Sequence, residues 1–324
     1  MRCARKPLAT LGLLSTAAVL LSALLLSLAF GTASAQQPAA DPPQAEWIVE
    51  AQGGDFTAVS MVSPTEGWAM TAGQPNRFYH YNGAAWVQTA LAITTESRFF
   101  PVNDFIMTSV TTGWAVGRSL TRDPSDEYYY GRIWRLQDGI WAQFTLTPTA
   151  TLTRIKSVGA NAGYAYGPQV VYYYHGETWR RQLSFLNDGY PQVTAADGLA
   201  DGSRTWVAFE AQPFPGSQPR LADTEPGHDM VLAHQLNDLD VISPTHGWAA
   251  GDSGYVLRFN GTTWISVTTP ATANDTLMQV QVVAVDNVFI TGYNERNEDF
   301  VLHFDGATWT RTSSPLTGQF ADLD

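Results

Sequence analysis

Gly251-Asp252-Ser253-Gly254 has the residue order of a serine-protease nucleophile segment, where a hydroxyl would attack a carbonyl carbon. Such a serine needs a base within hydrogen-bond reach, and the base needs a third group to orient it. No accompanying His/Asp arrangement is visible, and small residues in this order also make a turn, which is the expectation here. The six histidines are His80, His175, His228, His234, His246 and His303, and no two share a metal-ligand spacing. Asp197-Gly-Leu-Ala-Asp201-Gly carries two carboxylates but lacks the dense oxygen spacing of a calcium loop. No catalytic residue, metal or cofactor is therefore expected. A pair of glycosidase carboxylates can lie far apart in sequence, so glycoside hydrolysis stays open as the alternative.

The elements that would position any such group repeat about every 42 to 50 residues. In each unit a short apolar strand leads through a turn to an aromatic: Gly67-Trp68, Gly113-Trp114, Gly163-Tyr164, Trp206, Gly247-Trp248 and Val288-Phe289. A second mark follows five of these: Asn82-Gly83-Ala-Ala-Trp86, Asp138-Gly139-Ile-Trp141, His175-Gly176-Glu-Thr-Trp179, Asn260-Gly261-Thr-Thr-Trp264 and Asp305-Gly306-Ala-Thr-Trp309. A period this long in a strand-and-turn sequence predicts an all-β ring of small sheets, a β-propeller of four-stranded blades. The repeats are expected over about 56–90, 102–145, 152–185, 192–235, 236–268 and 277–312.

Within the first unit, Phe56 to Val62 alternates in the two-residue period of a strand, and Ser63-Pro64-Thr65-Glu66-Gly67 reads as a turn. Trp68 opens a second strand, Arg77 to Tyr81 is a third, and Asn82-Gly83 predicts a tight two-residue hairpin into Trp86. The marker tryptophans Trp68, Trp114, Trp206 and Trp248 are expected in the core, filling the wedges between blades. The fourth unit is worn: Met230 to Ala233 reads as its third strand, with no recognisable fourth. Ala45 to Val49 resembles a fourth strand with no unit before it. Phe320 to Asp324 resembles the opening of a first strand, as in Leu236 to Asp240. The ends therefore predict a seven-bladed ring truncated at the C-terminus, with 320–324 as the start of a further repeat; a complete six-bladed ring is the alternative.

First-to-second and third-to-fourth turns are short and share one face. Second-to-third and fourth-to-first connections share the other and vary in length, which marks a binding face. Three of its loops, 118–131, 210–229 and 293–299, combine aromatics with Arg and carboxylates. They supply the candidate ligand-binding residues Arg122, Asp126, Tyr128, Tyr129, Arg220, His228, Tyr293 and Arg296, a mixture suited to gripping a peptide or a glycan.

Residues 1–35 read as a signal peptide: Arg2, Arg5 and Lys6, an apolar run from Leu8 to Phe30, and Ala33-Ser34-Ala35 before Gln36. Residues 36–45 follow as a flexible leader and 46–324 as the propeller. The alternative is an uncleaved membrane anchor. Cys3 is the only cysteine, so the chain beyond it has no disulfide and no cysteine metal site. Without the three basic residues of that segment, 15 basic and 30 acidic residues remain, a formal charge of −15. That excludes binding of nucleic acid or anionic lipid through bulk charge. A secreted or cell-envelope monomer is expected, touching membrane only if the signal segment stays uncleaved.

The run Ser-Pro-Thr-x-Gly-Trp-Ala-x-Gly, followed by Asp/Asn-Gly-x-Thr-Trp, resembles repeats of secreted bacterial propellers. These are the photosystem II stability/assembly factor-like group and, next to it, the sialidase-like Asp-box propellers. The Asp box has the pattern Ser-x-Asp-x-Gly-x-Thr-Trp. Here the acidic or amide residue directly precedes the glycine, as in Asp305-Gly306-Ala-Thr-Trp309, and the leading serine is absent. The resemblance covers about residues 46 to 324 and implies the fold; no functional residue of a named family maps onto a position here. The expected function is a non-enzymatic extracytoplasmic platform that binds a protein or a cell-surface glycan through its long-loop face. A sialidase-like or other glycoside hydrolase is the runner-up, and a photosystem assembly role is a further alternative.

Overall fold

The computed structural model describes residues 56–72, 76–90, 92–93, 101–122, 129–146, 150–159, 161–184, 192–211, 215–225, 229–317 and 322–323. The expected signal segment, leader and Trp47 strand lie outside them. Six antiparallel sheets follow one another along the chain as the blades of a ring, each built by successive strands in sequence order. Blade 1 comprises Phe56–Ser63, Glu66–Thr71, Phe78–Tyr81 and Trp86–Thr89; blade 2 comprises Val102–Ser109, Thr112–Arg122, Tyr129–Gln137 and Ile140–Gln143. Blade 3 comprises Arg154–Gly159, Ala162–Gly167, Val170–His175 and Thr178–Ser184; blade 4 comprises Val193–Gly198, Thr205–Phe209, Arg220–Asp223 and Met230–Val231. Blade 5 comprises Leu236–Ser243, His246–Gly251, Val256–Phe259 and Trp264–Ser266; blade 6 comprises Thr276–Ala284, Asn287–Tyr293, Glu298–Phe304 and Trp309–Thr317. The two-residue strand Ala92–Ile93 adds in parallel to the outer edge of blade 2.

The marker aromatics sit where a wedge filler must. Trp114, Trp206 and Trp248 are buried, and the last two lie against the outer-strand tryptophans of the next blade, Trp264 and Trp309. Trp68 is half-buried. Across the sheet from the marker stands a cation or a ring that covers it: His80 on Trp68, Arg135 on Trp114, Arg258 on Trp248 and His303 on Phe289.

The glycine that ends the Trp-Ala-x-Gly motif is explained by a close approach of backbone. A Cβ on Gly251 would collide with the Gln235 carbonyl, and Gly117 and Gly167 face Pro101 and Thr151 in the same way. A main-chain atom cannot rotate aside, so Gly251→Ala is expected to lower stability by roughly 1–3 kcal/mol, read as a lower urea midpoint at unchanged slope. An unchanged midpoint would mean that the entry to the fifth inner strand is free to shift.

Three expectations are corrected. The Asn-Gly and Asp-Gly turns of blades 1, 5 and 6 are four-residue loops, in which the Asx side chain accepts from the two backbone N–H groups that follow the glycine. Only Asp138-Gly139, with both φ values positive (51° and 77°), is a two-residue hairpin of the expected kind. In the worn fourth unit the third strand is Arg220–Asp223, and Met230–Val231 is a two-residue fourth strand. Hydrophobic periodicity missed Arg220–Asp223 because it offers one buried side chain, Leu221, among exposed and half-buried neighbours.

A seventh sheet is not formed by the described residues. Asp322 and Leu323 carry no strand pairing, but Asp322 accepts the Val59 N–H at 2.8 Å, as Asp238 accepts that of Val280 at 2.9 Å. The sequence likeness between 320–324 and 236–240 is thus repeated in the contacts.

Candidate functional site: the axis and its two mouths

The first strand of each blade lines the axis. In each, one residue stands opposite the marker aromatic: Ser60, Ile106, Lys156, Asp197, Asp240 and Gln281. Strand alternation sends this side chain and the one two before it toward the next blade. A regular set of staples results. Ser60, Asp197 and Asp240 accept the backbone N–H of Met107, Val241 and Val282, each on the neighbouring inner strand. Two residues earlier, Asp104 accepts from Ile155 and Asp238 from Val280. Inner strands of adjacent blades are not joined as one sheet, so these N–H groups would otherwise be buried without a partner. Asp322 makes the same contact to Val59 and also accepts from Gln279, joining blade 6 to blade 1.

Blade 3 breaks the pattern with cations. Lys156 crosses the axis to blade 5, where its Nζ lies 2.6 Å from Asp238 and 2.7 Å from the Leu239 carbonyl. Arg154 reaches toward Asp322 at 3.9 Å. The two spokes bound a cavity of about 250 Å³ whose walls include Asp104, Tyr166, Asp238, Asp240 and Asp322. Lys156 is 22% exposed, and its exposed surface faces that cavity.

The electrostatics follow from burial. Desolvation, then the Asp322 charge, push the Asp104 carboxyl up to about 7, against the pull of Arg154. Burial and the adjacent Asp240 push Asp197 well above the usual carboxylate range, while Lys156 pulls it down. Asp240 and Asp322 are also raised, burial again being the first cause. Lys156 itself is raised, because the surrounding carboxylates outweigh its desolvation in holding the proton.

These carboxylates are the ones a hydrolase reading would nominate. Asp104, Asp238, Asp240 and Asp322 each hold a neighbouring strand's N–H, and Asp238 holds Lys156 as well. A carboxyl used in this way cannot swing to a glycosidic oxygen without releasing an inter-blade contact. The serine segment is a turn, as expected: Asp252–Gly254 forms one 3-10 turn, Ser253 has φ 61°, and the Asp252 carboxylate accepts from Asn237. Among the described residues no cluster of His, Cys, Asp or Glu is arranged to hold a metal ion.

The described loop-face candidates are not gathered into one place. Arg122 and Tyr129 are strand partners near the tip of the blade 2 hairpin, and Asp126, Tyr128 and His228 lie outside the described residues. Arg220 opens the third strand of blade 4 and pairs with Asp229 at 3.1 Å, both exposed. Tyr293 ends a strand of blade 6, and Arg296 lies in the turn after it with its N–H on Asn294. They occupy blades 2, 4 and 6, alternate positions around the ring. Segment 293–299 is no long loop: strands run to Tyr293 and from Glu298, leaving a turn closed by Asn294. In segment 118–131 the described residues, 118–122 and 129–131, are strand, and 210–229 divides between the two faces, because Arg220–Asp223 is a strand.

The other mouth, on the turn face, was not singled out in the sequence. Two residues beyond each aromatic-facing position stand Val62, Thr108, Val158, Leu199, Ile242 and Val283, five aliphatics in six blades. Val62, Val158 and Leu199 pack partly against inter-blade clusters, whereas Ile242 and Val283 are exposed. The signal was present in the repeat but needed the strand register to align it.

With this geometry the chain can be set beside solved structures. A protein described as YCF48 from Cyanidioschyzon merolae superimposes with a TM-score of 0.57 at 13% identity, over 85% of this chain and 90% of that one. YCF48 bound to a D1 peptide gives 0.53 at 14% identity, over 80% of each chain. The WD40 propeller domain of Doa1 gives 0.56 at 9% identity, over 85% and 87%. The likeness is one of fold. No protein-family model and no curated protein matches the chain. The photosystem-assembly side of the resemblance is therefore met by structural neighbours. At these identities they carry the ring architecture and not a shared activity.

Proposed function

We propose that this ring is a protein-binding or assembly platform, exported from the cytoplasm, that takes its partner on the loop face. One observation carries the reading: the second and third strands of blade 2 run on past Gly117, pairing at Arg118↔Gly131 and, beyond an irregularity in register, at Arg122↔Tyr129. Gly117 is where the equivalent strands of blades 3 and 5 stop, at Gly167 and Gly251. Beyond the Gly117↔Arg132 pair the third strand supplies three further residues, Tyr129 to Gly131, so the paired part of this arm is about 10 Å long at about 3.3 Å per residue. It bears an exposed tyrosine, Tyr130. An arm beside variable loops suits recognition of a peptide or a protein surface better than closure over a small substrate. The use of the axial carboxylates as inter-blade staples supports a binding role over hydrolysis. The peptide complex of the YCF48 neighbour supports a peptide-like partner. The basic, apolar start of the chain and the lack of cysteine after Cys3 support export.

The test is selection of a displayed random-peptide library on the purified protein, with a glycan array and a panel of aryl glycosides in parallel. Peptides are expected whose binding falls at least tenfold when residues 119–130 are replaced by Asn-Gly at unchanged melting temperature. Enrichment on glycans alone, glycoside turnover, or peptide binding indifferent to the arm would each overturn the reading.

A further inference from the structure

The turn face carries an uncovered aliphatic patch bordered by carboxylates. Ile242 is 43% exposed, Val283 59% and Val285 46%. The Asp240–Val282 staple at 2.6 Å holds the inner strands of blades 5 and 6 together, with Ile242 two residues beyond it on one strand and Val283 one residue beyond it on the other. The first-to-second turns here span only Pro244-Thr245 and Val285-Asp286, too short to fold back over the patch. At the opposite mouth the equivalent aliphatics Leu236 and Leu277 are fully buried, so the exposure belongs to one end of the axis. Exposed aliphatics gathered at the same end of two adjoining strands mark a docking surface rather than scattered surface residues.

The charges around the patch say what covers it. Asp286 shares the Val285 turn, and the neighbouring hairpin of blade 6 places Gly306 against it and exposes Asp305. Backbone N–H groups of Thr308 and Ala307 hold the Asp305 carboxyl below its usual range, so it is ionised at neutral pH. Of the three arginines in these two blades, Arg258 lies over Trp248, Arg311 is on the Asp275 carboxylate, and Arg296 lies in a second-to-third turn on the opposite face. A second copy of this chain would bring acid onto acid at a formal charge of −12, and an anionic membrane would be repelled.

We propose that the turn-face mouth, at Ile242, Val283 and Val285, docks an aliphatic segment of a partner protein flanked by Arg or Lys. This site is separate from the loop face and does not depend on it. The probe is a labelled twelve-residue Leu/Val/Ala peptide with two arginines at each end, compared by fluorescence anisotropy with the same core bearing glutamates. The arginine peptide is expected to bind, more weakly as salt rises. Ile242→Asp with Val283→Asp, or the gentler Val283→Ser, weakens it at least tenfold without lowering the melting temperature. Asp286→Asn with Asp305→Asn weakens it severalfold; Asn82 and Asn260 make the Asp305 cap in other blades, and Asp286 is an exposed turn residue, so the fold is kept. Replacing residues 119–130 leaves the affinity unchanged, which separates this site from the proposed loop-face function. No binding, equal binding of the glutamate peptide, or indifference to the Ile242 and Val283 variants would overturn the proposal. So would a dimer in sedimentation that Val283→Asp splits, since the occupant would then be a second copy.

Discussion

Lys156→Met is expected to destabilise the ring by about 3 kcal/mol at pH 8, measured by urea denaturation, the low end of the range for breaking a buried ion pair. The methionine fills a similar volume, so the loss is electrostatic. Asp238 would keep its backbone contact to Val280 but lose the ammonium 2.6 Å away. Asp197 and Asp240, which Lys156 holds down, would rise further. They would then take up protons at a higher pH, and the deficit should shrink by pH 5. A loss below about 1 kcal/mol at pH 8 would show that water in the axial cavity screens the cluster and that Lys156 is no brace.

The second large effect is the pH dependence of the unaltered ring. Asp104, Asp197, Asp240 and Asp322 are all raised in the folded state. A carboxyl raised by folding stays protonated in the ring at a pH where the unfolded chain has already ionised. Its contribution is full below about pH 4 and is lost as pH climbs through the folded value, which for Asp104 is about 7. At about 1.4 kcal/mol per pH unit, Asp104 alone sets an upper bound of about 4 kcal/mol. Asp275 and Asp305 are lowered and act oppositely, but only at pH below 3.8, outside this window. The urea midpoint should therefore be higher at pH 5 than at pH 8, and Asp104→Asn should flatten the slope. A flat profile or a midpoint that rises with pH would refute the axial assignment.

Blade order and strand boundaries were largely readable because the period-two alternation and the aromatic marks are local. In the first blade the strands run from Phe56–Ser63 to Trp86–Thr89, with the alternation in the first and Trp68 in the second. The glycine of Trp-Ala-x-Gly was visible as a motif, yet its reason, the Gln235 carbonyl beside Gly251, appears only when chain segments sixteen residues apart meet. Segments 118–131 and 293–299 have the polar and charged residues of loops. A strand pair that runs out to a hairpin end has that same composition where it reaches solvent, as at the exposed Tyr130 and Glu298.

The amino-acid sequence by itself determined the ring: repeated strand periodicity, Asx-Gly turns and wedge-filling aromatics act within a blade or between neighbouring blades. Only the tertiary structure decided the charge arrangement and the two mouths. Asp104, Asp197, Asp238 and Asp240 look like polar interruptions of apolar strands until the next blade's N–H groups are placed against them. Lys156 and Asp238 are 82 residues apart and meet because the ring brings blades 3 and 5 to a common axis. Electrostatic partners act through space, and spatial neighbours across an axis leave no periodic mark along the chain.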